Sequence, residues 1–240
     1  MKKRIIILVA IAVLSIAVTA CSKKEVKENQ EQNIDPTSED PTEEKPTVIS
    51  PTGVTVTVPV YELNEVGIIK PEVAQEAISD ITAKVIAAIS TKDFKTMADY
   101  VHPEKGVRFT PYANVSVDKD VVLSKDEIMN FFENQTKYLW GNYDGSGFEI
   151  SLTPSQYYDE FIYTSDFLNA EEVGYNEVLG SGNIIENQFD VYENAIVVEY
   201  YFSGFDPNYG GADWQSLRLV YELYNNEWKL VGIIHNQFTI

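Results

Sequence analysis

Residues 214–238 read WQSLRLVYELYNNEWKLVGIIHNQF, two alternating runs on either side of Asn225-Asn226. Asparagine tolerates positive φ, so this pair suits a two-residue hairpin turn. That turn sets Tyr224 opposite Glu227, Glu222 opposite Lys229, Val220 opposite Val231, Arg218 opposite Ile233 and Ser216 opposite His235. The opposite charges of Glu222 and Lys229 favour this register. Leu217, Leu219, Tyr221, Leu223, Trp228, Leu230, Ile234 and Phe238 then form a core face. The other face projects Trp214, Ser216, Arg218, His235 and Gln237 together at its polar end.

Upstream, Ala195 to Phe202 is apolar on both faces apart from Glu199, as a central strand should be. Helical patterns precede it. Ala74, Ala77, Ile78, Ile81, Val85, Ala88 and Ile89 share one face after Pro71, which suits a first helical turn. A second short helix from Thr91 turns Phe94, Met97, Ala98 and Val101 inward and ends at His102-Pro103. Gly106 to Val117 reads as a strand or extended loop. Ser124 and Glu127 form a capping-box pattern before Ile128, Phe131, Phe132 and Leu139, with Gly141 as the stop. Thr153 and Gln156 repeat the pattern before Tyr157, Tyr158, Phe161 and Ile162. The expected fold class is α+β, with N-terminal helices packed on a curved antiparallel sheet over residues 71–240.

The N-terminus carries an address. Lys2, Lys3 and Arg4 precede an apolar run, Ile5 to Ala20, which is shorter than the roughly 20 residues a membrane-spanning helix needs. The single cysteine, Cys21, follows at once. Residues 1–20 therefore read as a cleaved signal peptide, and removing their three positive charges takes the formal net charge from −19 to −22. Residues 21–46 are an acidic tether too poor in apolar side chains to fold, with a reach of roughly 25–30 Å. In residues 47–70, Val54, Val56, Val58 and Val60 alternate with Thr55, Thr57 and Pro59, which suits either an edge strand on the domain or an extended spacer.

Val18-Thr19-Ala20-Cys21 resembles the bacterial lipobox. The resemblance implies a diacylglyceryl thioether on Cys21, cleavage before it, and a chain held on the extracytoplasmic face of a cell membrane. Two acyl chains give stable anchoring where one is marginal. Helices first and then a sheet ending in Glu227-Trp228-Lys229-Leu230-Val231, with a helix pair joined at Thr91-Lys92-Asp93-Phe94, resemble the NTF2-like (SnoaL-like, cystatin-like) cone fold. Trp140 to Gly147 together with Trp214 to Val220 are also similar to a group of exported bacterial lipoproteins. The NTF2-like fold hosts isomerases, dehydratases and binding modules, so the fold selects none of them.

Composition excludes several chemistries. The acidic excess opposes nucleic acid and anionic membrane surfaces as partners. Two histidines and no thiol after Cys21 leave no donor set for zinc, and no residue pattern calls for a cofactor. Asp206 to Asp213 is a polar, glycine-containing loop of the kind calcium favours, but its spacing matches no EF-hand and it reads as a solvated loop. Asp144-Gly145-Ser146-Gly147 reads as a tight turn. His102 reads as a capping residue at a helix end.

What remains is Arg218, one of two basic residues against sixteen acidic ones after Lys137, with Glu199 as its expected partner. That pair can orient a ligand in a pocket or can be a structural ion pair. Tyr138, Tyr143, Tyr157, Tyr158, Tyr163, Tyr175 and Tyr209 offer either stacking surface for sugars or proteins, or ordinary core and rim packing. The expected function is a non-catalytic binding module for a small ligand, a glycan or an envelope protein, with Trp214, Ser216, Arg218, His235 and Gln237 as the ligand-binding set. The alternative is a lyase or isomerase with His235 or a carboxylate as base and Arg218 as anion holder. A homodimer through Val220, Val231 and Ile233 is compatible with either.

Overall fold

The computed structural model describes residues 59–239, together with the backbone of two short strands, β1 (Thr47–Ile49) and β2 (Thr55–Thr57). The signal segment, Cys21 and the acidic tether lie outside the described residues. β1 and β2 pair antiparallel with each other in a two-stranded ribbon.

Helix α1 (Pro71–Ser90) begins on its proline and buries Ala74, Ile78, Val85, Ala88 and Ile89, as its spacing predicts, along with Thr82 and Ile86. Thr82 is a buried polar anchor on the sheet. Its hydroxyl lies 2.8 Å from the Tyr200 hydroxyl and accepts a 3.0 Å hydrogen bond from that of Tyr221. α2 (Phe94–Met97) is capped by Asp93, which accepts from the Thr96 amide, and a 3₁₀ turn over Ala98–Tyr100 completes the expected second helix. Strands β3 (Val107–Thr110) and β4 (Val121–Leu123) follow.

Helix α3 (Lys125–Met129) has the expected Ser124–Glu127 capping box but ends at Asn130, well short of Gly141. Leu139 and Gly141 instead belong to strand β5 (Tyr138–Asn142), which pairs with β6 (Glu149–Leu152). Tertiary packing overrides the helical pattern here. The Trp140 indole N–H donates to the Leu152 carbonyl at 2.9 Å, and its ring stacks on Tyr157 at 3.9 Å. The second capping box, Thr153 and Gln156, starts α4 (Pro154–Tyr157), which widens into a π turn over Tyr158–Ile162. β7 (Glu172–Tyr175), α5 (Gln188–Val191), β8 (Ile196–Phe202), β9 (Gln215–Tyr224) and β10 (Glu227–Gln237) complete the order.

Six strands form one curved sheet in the order β4-β3-β10-β9-β8-β7. It is mixed, and the expectation of an antiparallel sheet needs correcting: β3 runs parallel to β10, with Arg108 beside Gly232. Most of the domain separates these two strands in sequence, so no hairpin constrains their direction.

Both faces of the sheet are covered. Leu217, Leu219, Tyr221, Trp228, Leu230 and Ile233 join the helices in the larger core, while Val197, Val220, Val231 and Ile234 pack under Val115, Tyr192 and Ala195 on the other side. Val220, Val231 and Ile233 are all buried within their own chain. The core also reaches back past Pro71. Ile69 is buried with its carbonyl bonded by Asn176 Nδ2, and Tyr61 packs on Trp228 at 5.6 Å.

Candidate functional site

Asn225 and Asn226 adopt φ of 49° and 64°, the left-handed values that the turn demands. From there the register runs as expected, through Lys229 opposite Glu222, to Leu230 opposite Tyr221. Then a β-bulge intervenes. Val231 is the extra residue, Gly232 sits opposite Val220, Ile234 opposite Arg218, His235 opposite Leu217 and Asn236 opposite Ser216. A one-residue slip in a strand turns every later side chain to the other face. The expected constellation is therefore split by the sheet. Trp214, Ser216 and Arg218 stay on the outer face, joined by Asn236, while His235 and Gln237 turn to the helix side. Ile233 takes the core place expected for Ile234, and Phe238 is exposed.

On the outer face, Arg218 is completely enclosed. Glu199, directly opposite on β8, accepts from Nη2 at 3.0 Å, which is the expected pairing. A second carboxylate, Glu186, accepts from Nη1 at 2.9 Å and from Nη2 at 3.2 Å, and the Gly180 carbonyl accepts from Nη2 at 2.7 Å. Glu199 in turn holds the amides of Leu179 and Gly180 at 2.8 and 3.3 Å. Gly180 has to be a glycine, since a Cβ there would lie 2.5 Å from the Trp214 ring. Asn236 Nδ2 also donates to the Gly180 carbonyl. Arg218 thus ties residues 179–186 down over the sheet. Its two terminal nitrogens are engaged, so gripping a ligand anion with them requires displacing Glu186. Glu186 was missed at the sequence level because nothing in its neighbourhood marks a glutamate 32 residues away as a partner.

On the inner face, His235 is buried against the edge of Phe161, with ring centroids 5.8 Å apart. Its Nε2 faces Gln237 Oε1 at 3.1 Å, and Nδ1 has no partner among the described residues. Burial pushes its pKa down to about 4, so the ring is neutral at pH 7. It closes a run of aromatic rings that continues through Phe161 and Tyr157 to Trp140. This row of packed rings occupies the space between α4 and the sheet.

The remaining candidates resolve as local structure. His102 Nδ1 accepts from the amides of Glu104 and Lys105 at 3.2 and 3.1 Å, which caps the turn after Pro103, and burial, followed by the nearby Lys105 charge, lowers its pKa. Asp144 to Gly147 closes the β5–β6 hairpin, with the Gly147 amide donating to the Tyr143 carbonyl. In the 206–213 loop, Asp213 accepts from the amides of Phe205 and Asp206, and Asp206 from that of Asn208, so both carboxylates hold backbone. Of the seven tyrosines, Tyr157 and Tyr158 are buried, Tyr209 is exposed, and the other four are half-buried.

An open concavity lies elsewhere. A groove of about 740 Å³ runs between α1, the 3₁₀ turn and the hairpin tip, floored by Tyr61, Ala77, Ile81 and Trp228. None of the expected ligand-binding residues lines it. Tyr61 gave no sequence signal because it lies in a segment, residues 47–70, that read as either an edge strand or an extended spacer.

No protein-family model and no curated protein matches the chain. Among solved structures, a Xanthomonas campestris protein described as a calcium/calmodulin dependent protein kinase II association domain is similar at 14% identity, over 68% of this chain and 85% of that one. The TM-score is 0.28, an overlap too loose to carry an argument.

Proposed function

We propose that this chain is a lipid-anchored, extracytoplasmic binding module: an NTF2-like domain held off the membrane by its acidic tether and taking a small ligand in the groove beside Trp228. The observation that carries the reading is a contrast. Arg218 and His235, the side chains with the most chemical potential, are buried on opposite faces of one sheet, one engaged by carboxylates and the other neutral. The groove, by contrast, is open and floored by an aromatic pair, the usual make-up of a ligand site. Element order, with helices ahead of a curved sheet that ends in the β9–β10 hairpin, supports the NTF2-like assignment. The lipobox supports the anchor. The enzyme alternative, with His235 or a carboxylate as base and Arg218 as anion holder, is not the one proposed.

The test fills the groove. Compounds that raise the melting temperature of the full chain are sought by thermal-shift screening, then repeated on Ala77→Trp. The expected result is that binders lose their shift in the variant; binders that shift both proteins equally would overturn the groove as the site. For the anchor, Cys21→Ser is expected to abolish metabolic labelling with a fatty acid, and undiminished labelling would overturn lipidation at Cys21.

A further inference from the structure

We infer that the outer face of the sheet carries a second site, a cleft around Arg108 and Tyr192 built for a small organic carboxylate with a short branched apolar body. The cleft opens near the outer-face end of the β4-β3-β10 strands and has a volume of about 300 Å³, at the lower limit of ligand-sized pockets. The same bulge that separates Arg218 from His235 creates it. Val231 and Gly232 both belong to the outer side there, Val231 as a wall and Gly232 as a gap beside Arg108. A Cβ on Gly232 would lie 2.8 Å from the Tyr192 hydroxyl, so the glycine is what admits that hydroxyl.

Three observations point to an anion. Arg108 donates from Nη1 to the carbonyls of Ser116 and Val117 at 3.2 and 3.0 Å but has no ion pair among the described residues. The nearby carboxylates are already engaged: Glu222 with Lys105, and Asp120 with the Thr110 hydroxyl and the Ser116 amide. Tyr192 is 7% exposed, and its hydroxyl, beside Arg108, makes no hydrogen bond of ordinary geometry among the described residues. A carboxylate bridging this hydroxyl to the guanidinium would give each of them a charge-assisted hydrogen bond. Val117, Val122, Val191 and Val231 supply the apolar wall.

Isothermal titration of the full chain with 4-methylvalerate at fixed ionic strength tests the site, with the isosteric 4-methylvaleramide and inorganic phosphate as comparison ligands. The carboxylate is expected to saturate, with the amide and phosphate each at least about tenfold weaker. Arg108→Gln is expected to weaken binding by about tenfold or more, Tyr192→Phe by about three- to fivefold, and Arg108→Lys by less than Arg108→Gln. Melting temperatures of the variants show whether each one folds, and Arg108→Lys keeps the test alive if Arg108→Gln does not. Equal binding of acid and amide, undiminished affinity in a folded Arg108→Gln, or no saturation by 4-methylvalerate would each overturn the site; binding of phosphate as tight as that of the acid would overturn the apolar half.

Discussion

The two faces of the terminal hairpin solve the same problem in opposite ways. On the outer face a guanidinium is enclosed by two carboxylates and a carbonyl that accept its hydrogen bonds. On the inner face a histidine of similar burial has one partner, Gln237, and gives up its charge. An arginine cannot discharge, so its surroundings must be built for it; a histidine can, so an aromatic wall suffices. The comparison teaches that burial alone does not mark a site. What differs is the set of partners that each buried group already holds.

The largest effect should come from breaking the outer face. Arg218→Met leaves Glu199 buried and uncompensated, which costs roughly 3–5 kcal/mol by analogy with other broken buried pairs. Urea denaturation should show the variant far less stable than wild type, and adding Glu199→Gln to Arg218→Met should recover part of the loss. If Arg218→Met alone is as stable as wild type, Arg218 is not the tie that holds residues 179–186.

A pH effect should come next, from the inner face. The His235 pKa is depressed from an ordinary 6.5 to about 4. The unfolded chain therefore binds a proton below pH 6.5 that the folded chain refuses until about pH 4, and stability falls as pH drops through that window. From pH 7 to pH 5 this term is worth about 2 kcal/mol. Wild type should lose more stability over that range than His235→Gln, as read from urea midpoints at the two pH values. Equal losses would mean that His235 does not carry this dependence.

The smallest effect serves as a control on the meaning of an ion pair. Lys125 and Asp99 lie 3.5 Å apart with side chains 39% and 75% exposed. Lys125→Ala should change stability by no more than about 0.5 kcal/mol, because water already solvates both charges. A loss comparable to that of Arg218→Met would erase the distinction between buried and exposed pairs drawn above.

Much of the fold was legible where a residue type forces a local geometry. Pro71, the two capping boxes and Asn225-Asn226 each satisfy backbone groups in only one way, and all appear where the pattern places them. The Glu199–Arg218 pair was legible because a lone cation in an acidic half needs a carboxylate. The length of α3 was not, since the Trp140–Tyr157 stack that pulls residues 138–142 into a strand is a long-range contact. The groove and the Arg108 cleft were not legible either, because each gathers residues from at least three separated segments.

By itself, then, the sequence determined the starts of α1, α3 and α4, the hairpin turn, the near half of its register and the need of Arg218 for a carboxylate. Only the tertiary structure decided which face His235 occupies. Val231, Gly232, Ile233 and Ile234 carry no polar mark, and with both sides of the sheet covered a slip of one residue puts apolar side chains into apolar surroundings either way. Alternation specifies register only where one face meets water. Here the packing of Tyr192 against Gly232, a contact between residues 40 positions apart, accompanies the bulge and sets the candidate sites apart.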